Sequence, residues 1–244
     1  MQTSQYVIEG TNLSTVWITA IERILESSGT EITPLLLTLI GFDESAIIRS
    51  ALDSQLEKSK MGSVETVSET IFPDSLYRYY GQDRFMLFNT YLRNISRIKK
   101  IDTSNRNGTY FERLIAYDDS GTKINQLEII ISSLRSKNVK RRSKLQASIF
   151  DPRIDHTNGA FQGFPCLQHV TFCVSENGGL VLNSFYAIQY LYRRGYGNWL
   201  GLINLGKFIA KEAGVNFERF NCYIGVEKLE ISKLQAKELL NNMK

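Results

Sequence analysis

Apolar residues recur every three or four positions in several parts of the chain, which is the spacing of amphipathic α-helices. In the clearest example five apolar side chains share one helical face: Ile124, Leu127, Ile130, Ile131 and Leu134. The same spacing predicts helices over residues 13–28, 45–58, 76–98, 123–136, 197–214 and 232–241. The fifth helix should end at Gly214, because glycine is common just beyond a helix C-terminus.

Shorter segments rich in β-branched and aromatic residues predict strands. They are residues 30–40, 144–150, 169–175, 180–186 and 219–225. Asn177-Gly178-Gly179 separates two of them as a hairpin turn would. Helices and strands do not alternate regularly, so the pattern indicates a mixed α/β (α+β) fold and not a simple Rossmann domain. No internal repeat or Pro-rich linker divides the chain, so residues 1–244 are predicted to form a single domain.

The composition is that of an ordinary globular protein, with 43% hydrophobic and 22% charged residues. A net charge of +4 suits an anionic small ligand as well as nucleic acid.

No apolar run approaches the ~20 residues that cross a bilayer, and the first residues do not resemble a signal peptide, so no membrane partner is expected. Cys166, Cys173 and Cys222 are widely spaced, which argues against disulfides or structural zinc. A reduced, cytoplasmic protein is expected.

A basic run occupies residues 135–144, between a predicted helix and a predicted strand. It contains Arg141 and Arg142, and a planar guanidinium group can give a phosphate two parallel hydrogen bonds. A solvated loop is the alternative interpretation, because charge runs are usually on the surface. Nucleic-acid binding is a weaker one, since the aromatic residues form no obvious stacking platform.

Cys166 follows Pro165 at the start of an apolar strand. A thiolate held there could act as a nucleophile, with arginines lowering the thiol pKa, whereas the alternative is a buried structural cysteine. In a regular strand Cys166 and Gln168 share one face, and Leu167 and His169 the other. His169 is therefore poorly placed as a base for Cys166 and is interpreted as structural. Gln168 is also predicted to bind substrate.

A third segment carries Gly195 and Gly197 and then Asn198, at the apparent start of a helix. Asn198 is either an N-cap or a base-reading amide, because its donor and acceptor match the O4 and N3–H edge of uracil. The preceding Arg193 and Arg194 are interpreted as surface charge rather than phosphate ligands. The glycines do not form a dinucleotide-binding fingerprint, and zinc-hydrolase, α/β-hydrolase and P-loop motifs are absent from the sequence.

Taken in order over residues 124–229, these pieces resemble the thymidylate synthases and the related pyrimidine-nucleotide hydroxymethylases. The resemblance rests on the Arg141-Arg142 segment, on Pro165-Cys166 and on Asn198. It implies a large twisted sheet packed against the twofold mate of a homodimer. It also implies Cys166 as the nucleophile, Arg141 and Arg142 as phosphate ligands reaching across the dimer, and Asn198 as the reader of a pyrimidine nucleotide. The implied one-carbon donor is 5,10-methylenetetrahydrofolate.

The chain departs from the family pattern at several positions. Ala187 lies where the family has a phosphate-binding arginine, and Tyr190 replaces an aspartate. Lys228 and Glu230 stand where a histidine and a tyrosine would hold the ribose. Lys228 is predicted to bind substrate, and either Lys228 or Arg194 is expected to replace the missing phosphate arginine. Two hypotheses follow. One is a pyrimidine-nucleotide C5 one-carbon transferase, and the other is a catalytically altered nucleotide-binding protein or the divergent subunit of a heterodimer.

Overall fold

The computed structural model describes residues 6–101, 105–136, 141–159 and 163–243. Its main feature is a seven-stranded mixed sheet. The strands in chain order are β1 (Tyr6–Asn12), β2 (Glu31–Ile32), β3 (Leu35–Asp43), β4 (Tyr117–Asp119), β5 (Thr122–Ile124), β6 (Gln146–Ser148), β7 (Leu167–Val174), β8 (Leu180–Tyr190) and β9 (Phe217–Lys228). The main sheet has the order β1-β3-β9-β8-β7-β6, with β2 beside β9, while β4 and β5 form a separate hairpin. The β1–β3 and β8–β9 pairs are parallel and the others antiparallel.

Helices cover one face of this sheet. They are α1 (Leu13–Glu26), α2 (Ala46–Lys58), α3 (Val64–Glu69), α4 (Asp74–Tyr79), α5 (Arg84–Ile101), α6 (Tyr110–Ile115), α7 (Gln126–Arg135), α8 (Pro152–Asp155), α9 (Tyr196–Ala213) and α10 (Lys233–Asn241). Helices α1 and α9 pack on the central strands, and the apolar core lies between these two layers. The predicted mixed α/β fold is therefore confirmed.

Helix α9 is the central helix of the covered face and is buried along most of its length. It approaches α3 closely because it carries Gly197 and Gly201: a Cβ at these positions would lie 2.8 Å from the Val64 carbonyl oxygen and 2.7 Å from that of Ser68. The helix ends at Gly214, whose φ of +76° confirms the predicted C-terminal glycine.

The predicted helix over residues 76–98 is two helices in the structure, α4 and α5. Between them Gly81 and Gln82 adopt positive φ angles, and Asp83 accepts hydrogen bonds from the backbone of Phe85 and Met86 to begin α5. The predicted helix over residues 123–136 begins later, because its first residues pair in the β4–β5 hairpin. The remaining predicted elements occur with modest changes in their ends.

The second face of the sheet, which we call the open face, carries two neighbouring cross-strand rows. One row is apolar at its centre, where the Phe185 and Tyr223 rings stack with centroids 5.3 Å apart. It consists of Val7, Leu36, Tyr223, Phe185 and His169. The next row is a hydrogen-bonded polar ladder over four strands, formed by Thr38, Asn221, Asn183 and Thr171. The open face thus presents ordered side chains that include large exposed apolar groups.

Among the helices that the structure describes, none is long and apolar enough to cross a membrane.

Candidate functional site

A cavity of about 210 Å³ lies between the end of β8, the start of α9 and the segment before β7. We call it the cysteine cavity. The described residues that line it are Thr70, Asn105, Gly108, Thr109, Tyr110, Gly163, Phe164, Cys166, Gln189, Tyr190, Arg193, Arg194 and Asn198. Two residues singled out from separate sequence segments, Cys166 and Asn198, therefore meet at one cavity.

Backbone contacts fix the position of Cys166. Its carbonyl oxygen accepts a hydrogen bond of 3.1 Å from the Ala187 amide, and Gln168 Nε2 donates to the Pro165 carbonyl oxygen at 2.7 Å. The Gln168 side chain thus supports the backbone of the cysteine segment and does not line the cavity. Its predicted substrate contact stays a prediction without support from this geometry.

The strand after Cys166 is not regular. A bulge between Leu167 and His169 shifts the register of β7 against β8. Leu167 and Val170 are consequently both buried in the core, whereas a regular strand would place them on opposite faces. The prediction that Leu167 and His169 share a face is therefore wrong. His169 lies outside the cysteine cavity and is not placed to act as a base for Cys166.

The electrostatic environment of Cys166 has two opposing parts. Burial raises the pKa of the Cys166 thiol, and the positive charges of Arg194 and then Arg193 lower it. Burial also raises the pKa of Tyr110, with a further increase from the neighbouring Cys166. Because burial prevails, Cys166 rests as a thiol, and the arginines are the groups that favour its thiolate.

A π-helical turn, Leu191–Gly195, joins β8 to α9 and carries both arginines. Trp17 Nε1 donates to the Leu191 carbonyl oxygen at 3.0 Å. At the other side of the turn, the backbone amides of Tyr192 and Arg193 donate to the Glu230 carboxylate at 3.1 and 2.9 Å. The turn is therefore held from two distant parts of the chain, and Glu230 is already engaged as its cap.

The two arginines of the turn have different surroundings. The Arg193 guanidinium lies 4.2 Å from the centre of the Tyr190 ring, and its Nε is 3.5 Å from Glu230. Arg194 is half-buried in the cavity wall, and no carboxylate in the described parts of the chain forms an ion pair with it. Of the two interpretations left open for Arg194, surface charge and phosphate ligand, its half-buried position in the cavity wall favours the second.

Asn198 is the third residue of α9 and not its N-cap, because the helix begins at Tyr196, directly after the π-helical turn. The side chain is only 5% exposed and belongs to the cavity wall. The N-cap interpretation is therefore excluded, which leaves the amide for the cavity.

The remaining sequence predictions lie away from this cavity. Arg141 and Arg142 are exposed at a 3₁₀ turn before β6. Lys228 lies at the end of β9, where its Nζ is 4.0 Å from a Glu31 carboxylate oxygen. None of the three lines the cysteine cavity of the same chain, and their substrate contacts stay predictions. Residues 137–140 of the basic run lie outside the described residues.

Sequence reasoning missed several residues of the wall. The Tyr110 ring stacks on Phe164 with centroids 5.3 Å apart, and Phe164 in turn faces the Arg113 guanidinium. Thr109 begins α6 by accepting a hydrogen bond from the Glu112 amide. Gln189 had the one visible signal, since it is a long polar side chain near the end of an apolar strand.

A second, mostly apolar cavity of about 430 Å³ adjoins the first. Thr70, Asn105 and Thr109 line both cavities. Its apolar wall includes Pro73, Leu76, Tyr91 and Ile98. It also contains Glu69, whose pKa is raised by burial and whose oxygens accept hydrogen bonds from Ser75. We call it the apolar cavity. Within the described ranges, no group of three or more His, Cys, Asp or Glu side chains could hold a metal ion.

Comparison with known proteins gives a partial match. No family model matches the chain. Over 110 residues it is 34% identical to a protein of Methanocaldococcus jannaschii named "Putative thymidylate synthase". The match covers 44% of this chain and 48% of that protein, so the chain matches about half of the length of this relative. The similarity supports a thymidylate-synthase-like family, and the mixed fold with its large sheet is consistent with it.

Proposed function

We propose that this chain is a thymidylate-synthase-like transferase that adds a one-carbon unit to C5 of a pyrimidine nucleotide. The observation that carries the proposal is the meeting of Cys166, Asn198 and Arg194 at one cavity. They offer a nucleophile, an amide that matches a uracil edge, and a cation without an ion-pair partner among the described residues.

The chemistry begins with the Cys166 thiolate. Its Sγ forms a bond to C6 of the ring, and the electron pair of the C5–C6 double bond moves to O4 as an enolate. A hydrogen bond from the Asn198 amide stabilises that oxygen. C5, now nucleophilic, would form a bond to the one-carbon unit, and loss of the C5 proton would supply the electron pair with which the bond from that carbon to its carrier nitrogen breaks. Water would then add to the resulting C5 methylene group to give a hydroxymethyl product, or a hydride from the carrier would add to give a methyl product. The Sγ–C6 bond finally breaks and the ring double bond re-forms.

Arg194 is the candidate for binding the phosphate within the same chain. Ala187 occupies the position of the family's phosphate-binding arginine and cannot supply a charge. Arg194 lies in the cavity wall, and a hydrogen bond to a charged group typically contributes about 1.5–3 kcal/mol. Arg141 and Arg142, exposed away from this cavity, suit the neighbouring subunit's nucleotide.

The implied one-carbon donor, 5,10-methylenetetrahydrofolate, fits the apolar cavity in its chemistry. A flat heteroaromatic ring suits an apolar wall, and the three residues shared with the cysteine cavity would bring a ligand bound there next to the nucleotide. When bound, this cofactor supplies a carbon at the oxidation level of formaldehyde. The wall residues Leu76, Tyr91 and Ile98 would hold its ring and exclude water.

A homodimer through the open face is part of the proposal. The stacked Phe185 and Tyr223 and the exposed Val7 form an apolar row of the kind that protein interfaces bury. The polar ladder beside it supplies hydrogen-bonding groups for the same interface. The three free cysteines suit a reducing compartment such as the cytoplasm.

The proposed chemistry is tested by tritium release from C5-labelled uridine and cytidine nucleotides, in ribo and deoxy forms, with and without methylenetetrahydrofolate. We expect release from at least one nucleotide and a drop of at least roughly a hundredfold in Cys166→Ala, because loss of a nucleophile typically costs several orders of magnitude. Cys173→Ala is the matched control, since this cysteine is a similarly half-buried thiol outside the cavity, and it should retain full activity.

The alternative is a nucleotide-binding protein without the transferase reaction. Two residues favour this alternative. Glu230 stands where the family has a ribose-binding tyrosine, but it caps the π-helical turn. Tyr190 replaces the family's aspartate, and its ring stacks against Arg193. Nucleotide binding without tritium release from any substrate would establish this alternative. Release that survives in Cys166→Ala would contradict the covalent mechanism.

A further inference from the structure

Four buried polar atoms next to the cysteine cavity have no hydrogen-bond partner among the residues that the structure describes. They are the Nε2 and Oε1 of Gln189 and both carboxyl oxygens of Glu227. Gln189 is 1% exposed and Glu227 is fully buried. Unpaired buried groups cost free energy and are rare in native proteins, so four of them in one place call for a physical explanation.

The two side chains are direct neighbours in the sheet. Gln189 on β8 pairs in register with Glu227 on β9. Along β9 the core positions alternate up to Ile224, but the next buried residue is Glu227, so the alternation shifts by one residue beyond Gly225. Gln189 Oε1 and Glu227 Oε1 each lie 3.8 Å from the position of a Cβ on Gly195. Both oxygens thus converge beside a residue that has no side chain.

Two oxygens that approach the same point can form a hydrogen bond to each other only if one of them carries a hydrogen. Burial raises the pKa of Glu227 well above its ordinary value, and the negative charge of the nearby Glu230 raises it further. No Lys or Arg in the described ranges forms an ion pair with Glu227. Glu227 is therefore a neutral carboxylic acid, which has one O–H donor. Gln189 Oε1 is the acceptor that lies beside the same glycine.

We propose that Gln189 is a specificity-determining residue of the cysteine cavity, with Glu227 as the residue that positions it. The Glu227 O–H donates to Gln189 Oε1 and so fixes which way the amide faces. The Nε2–H group of Gln189, a residue of the cavity wall, is then left to donate to a carbonyl oxygen of the pyrimidine ring. This inference rests on the proposed function and adds a second amide to Asn198 for reading the base.

The test measures the dissociation constants of uridine and cytidine 5′-monophosphates, ribo and deoxy, by calorimetry. We expect Gln189→Leu to bind the preferred nucleotide about three- to tenfold more weakly, the usual effect of one lost hydrogen bond. A loss for uridine alone identifies O4 as the acceptor, and an equal loss for uridine and cytidine identifies O2. Glu227→Leu should show a similar loss, whereas Glu227→Gln, which keeps a neutral donor, should stay within about twofold of wild type.

Thermal unfolding of the same variants separates a binding role from a structural one. Gln189→Leu leaves the buried Glu227 O–H without its acceptor and should lower Tm somewhat. The double variant Gln189→Leu/Glu227→Leu removes both partners and should keep Tm close to that of wild type, so weaker nucleotide binding in the double variant cannot come from loss of fold. Wild-type binding of a nucleotide with an unchanged affinity in Gln189→Leu would overturn this inference alone. Failure of the folded wild type to bind any of these nucleotides would overturn the proposed function and, with it, this inference.

Discussion

At the scale of single residues, the balance at Cys166 decides when the site can react. The thiol is buried, which opposes ionisation, and the arginines of the π-helical turn favour ionisation. Arg194 makes the larger of the two arginine contributions. A ligand phosphate that binds Arg194 would reduce the positive field at the Cys166 sulfur. Arg194 would therefore serve both phosphate binding and ionisation of the Cys166 thiol.

This balance predicts the pH dependence of alkylation. Since only the thiolate reacts, the rate of Cys166 modification by iodoacetamide should rise with pH and reach half of its maximum above the ordinary cysteine pKa. In Arg194→Gln the charge that lowers this pKa is removed, so the midpoint should move to still higher pH. Peptide mass spectrometry measures the rate at each cysteine separately.

The control is Arg23→Gln, which removes an exposed arginine of α1 outside the cysteine cavity. It should leave the Cys166 profile unchanged. An Arg194→Gln midpoint equal to or below that of wild type would show that Arg194 does not act on the thiol.

Residue-level prediction from the sequence succeeded where a local motif marks the chemistry. Cys166 after a proline and Asn198 after two glycines were identified, and both line the cavity. Gln189 and Tyr110 were missed, because their importance arises from strand register and from stacking on a distant Phe164. The sequence leaves Arg194 between surface charge and phosphate ligand, since a pair of adjacent arginines does not reveal which of them is the more buried.

At the scale of elements, the site depends on how α9 is positioned. The π-helical turn places the arginines and Asn198, and α9 itself is held close to α3 by Gly201 and Gly197. Thr70, just after α3, belongs to the walls of both cavities. The distance between these two helices therefore sets the distance across the site.

Gly201→Ala tests this close contact. Alanine favours a helix over glycine by about 1 kcal/mol. The alanine Cβ, however, would lie 2.7 Å from the Ser68 carbonyl oxygen and 2.9 Å from Ile71 Cβ. The first of these is a backbone atom, so the clash cannot be relieved by rotating a side chain. A clash with backbone should cost about 2–3 kcal/mol, the upper part of the usual range for overpacking. After the helix gain of about 1 kcal/mol we expect a net loss of roughly 1–2 kcal/mol in the free energy of unfolding, measured in urea.

Ser54→Ala, on the exposed side of α2, is the matched control and should change the free energy of unfolding by less than about 0.5 kcal/mol. A Gly201→Ala protein as stable as wild type would show that α3 can move away from α9 without cost.

The sequence predicts the long elements better than the short ones. Helices with a sustained apolar period, such as α1 and α9, were predicted within a few residues of their observed ends. The six-residue helices α3 and α6 were not predicted, because six residues are too few to show the repeating apolar pattern of a helix. These unpredicted elements supply much of the cavity wall that sequence reasoning missed.

At the scale of the whole molecule, the proposed dimer through the open face would determine how sites are shared between subunits. A twofold interface is self-complementary, so a row that crosses the centre of the sheet can pack against its own copy. Arg141 and Arg142 are exposed near the β6 edge of the same sheet. A dimer formed in this way would let one subunit supply arginines to the site of the other.

Mixing two inactive variants tests this sharing. Cys166→Ala lacks the nucleophile, and the double variant Arg141→Ala/Arg142→Ala lacks the arginines. After subunit exchange in equal amounts, half of the dimers are mixed and each mixed dimer has one intact site, so roughly a quarter of wild-type activity should return. Tritium release measures the recovery, and light scattering measures the mass of the assembly.

Lys144→Ala is the control for the basic run, because this lysine is exposed at the same turn and is not assigned to the nucleotide. It should be active alone. Mixed dimers without recovered activity would place the two arginines outside the partner's site, and a monomeric wild type would exclude the interface.

The shared wall of Thr70, Asn105 and Thr109 has a thermodynamic consequence. A molecule in either cavity forms part of the boundary of the other, so the two occupancies are linked. If the first ligand changes the affinity for the second by some factor, the second must change the affinity for the first by the same factor. For the proposed nucleotide and cofactor, the order of binding would then be set by their concentrations and rates, while the free energy of the doubly occupied protein would be the same along either route.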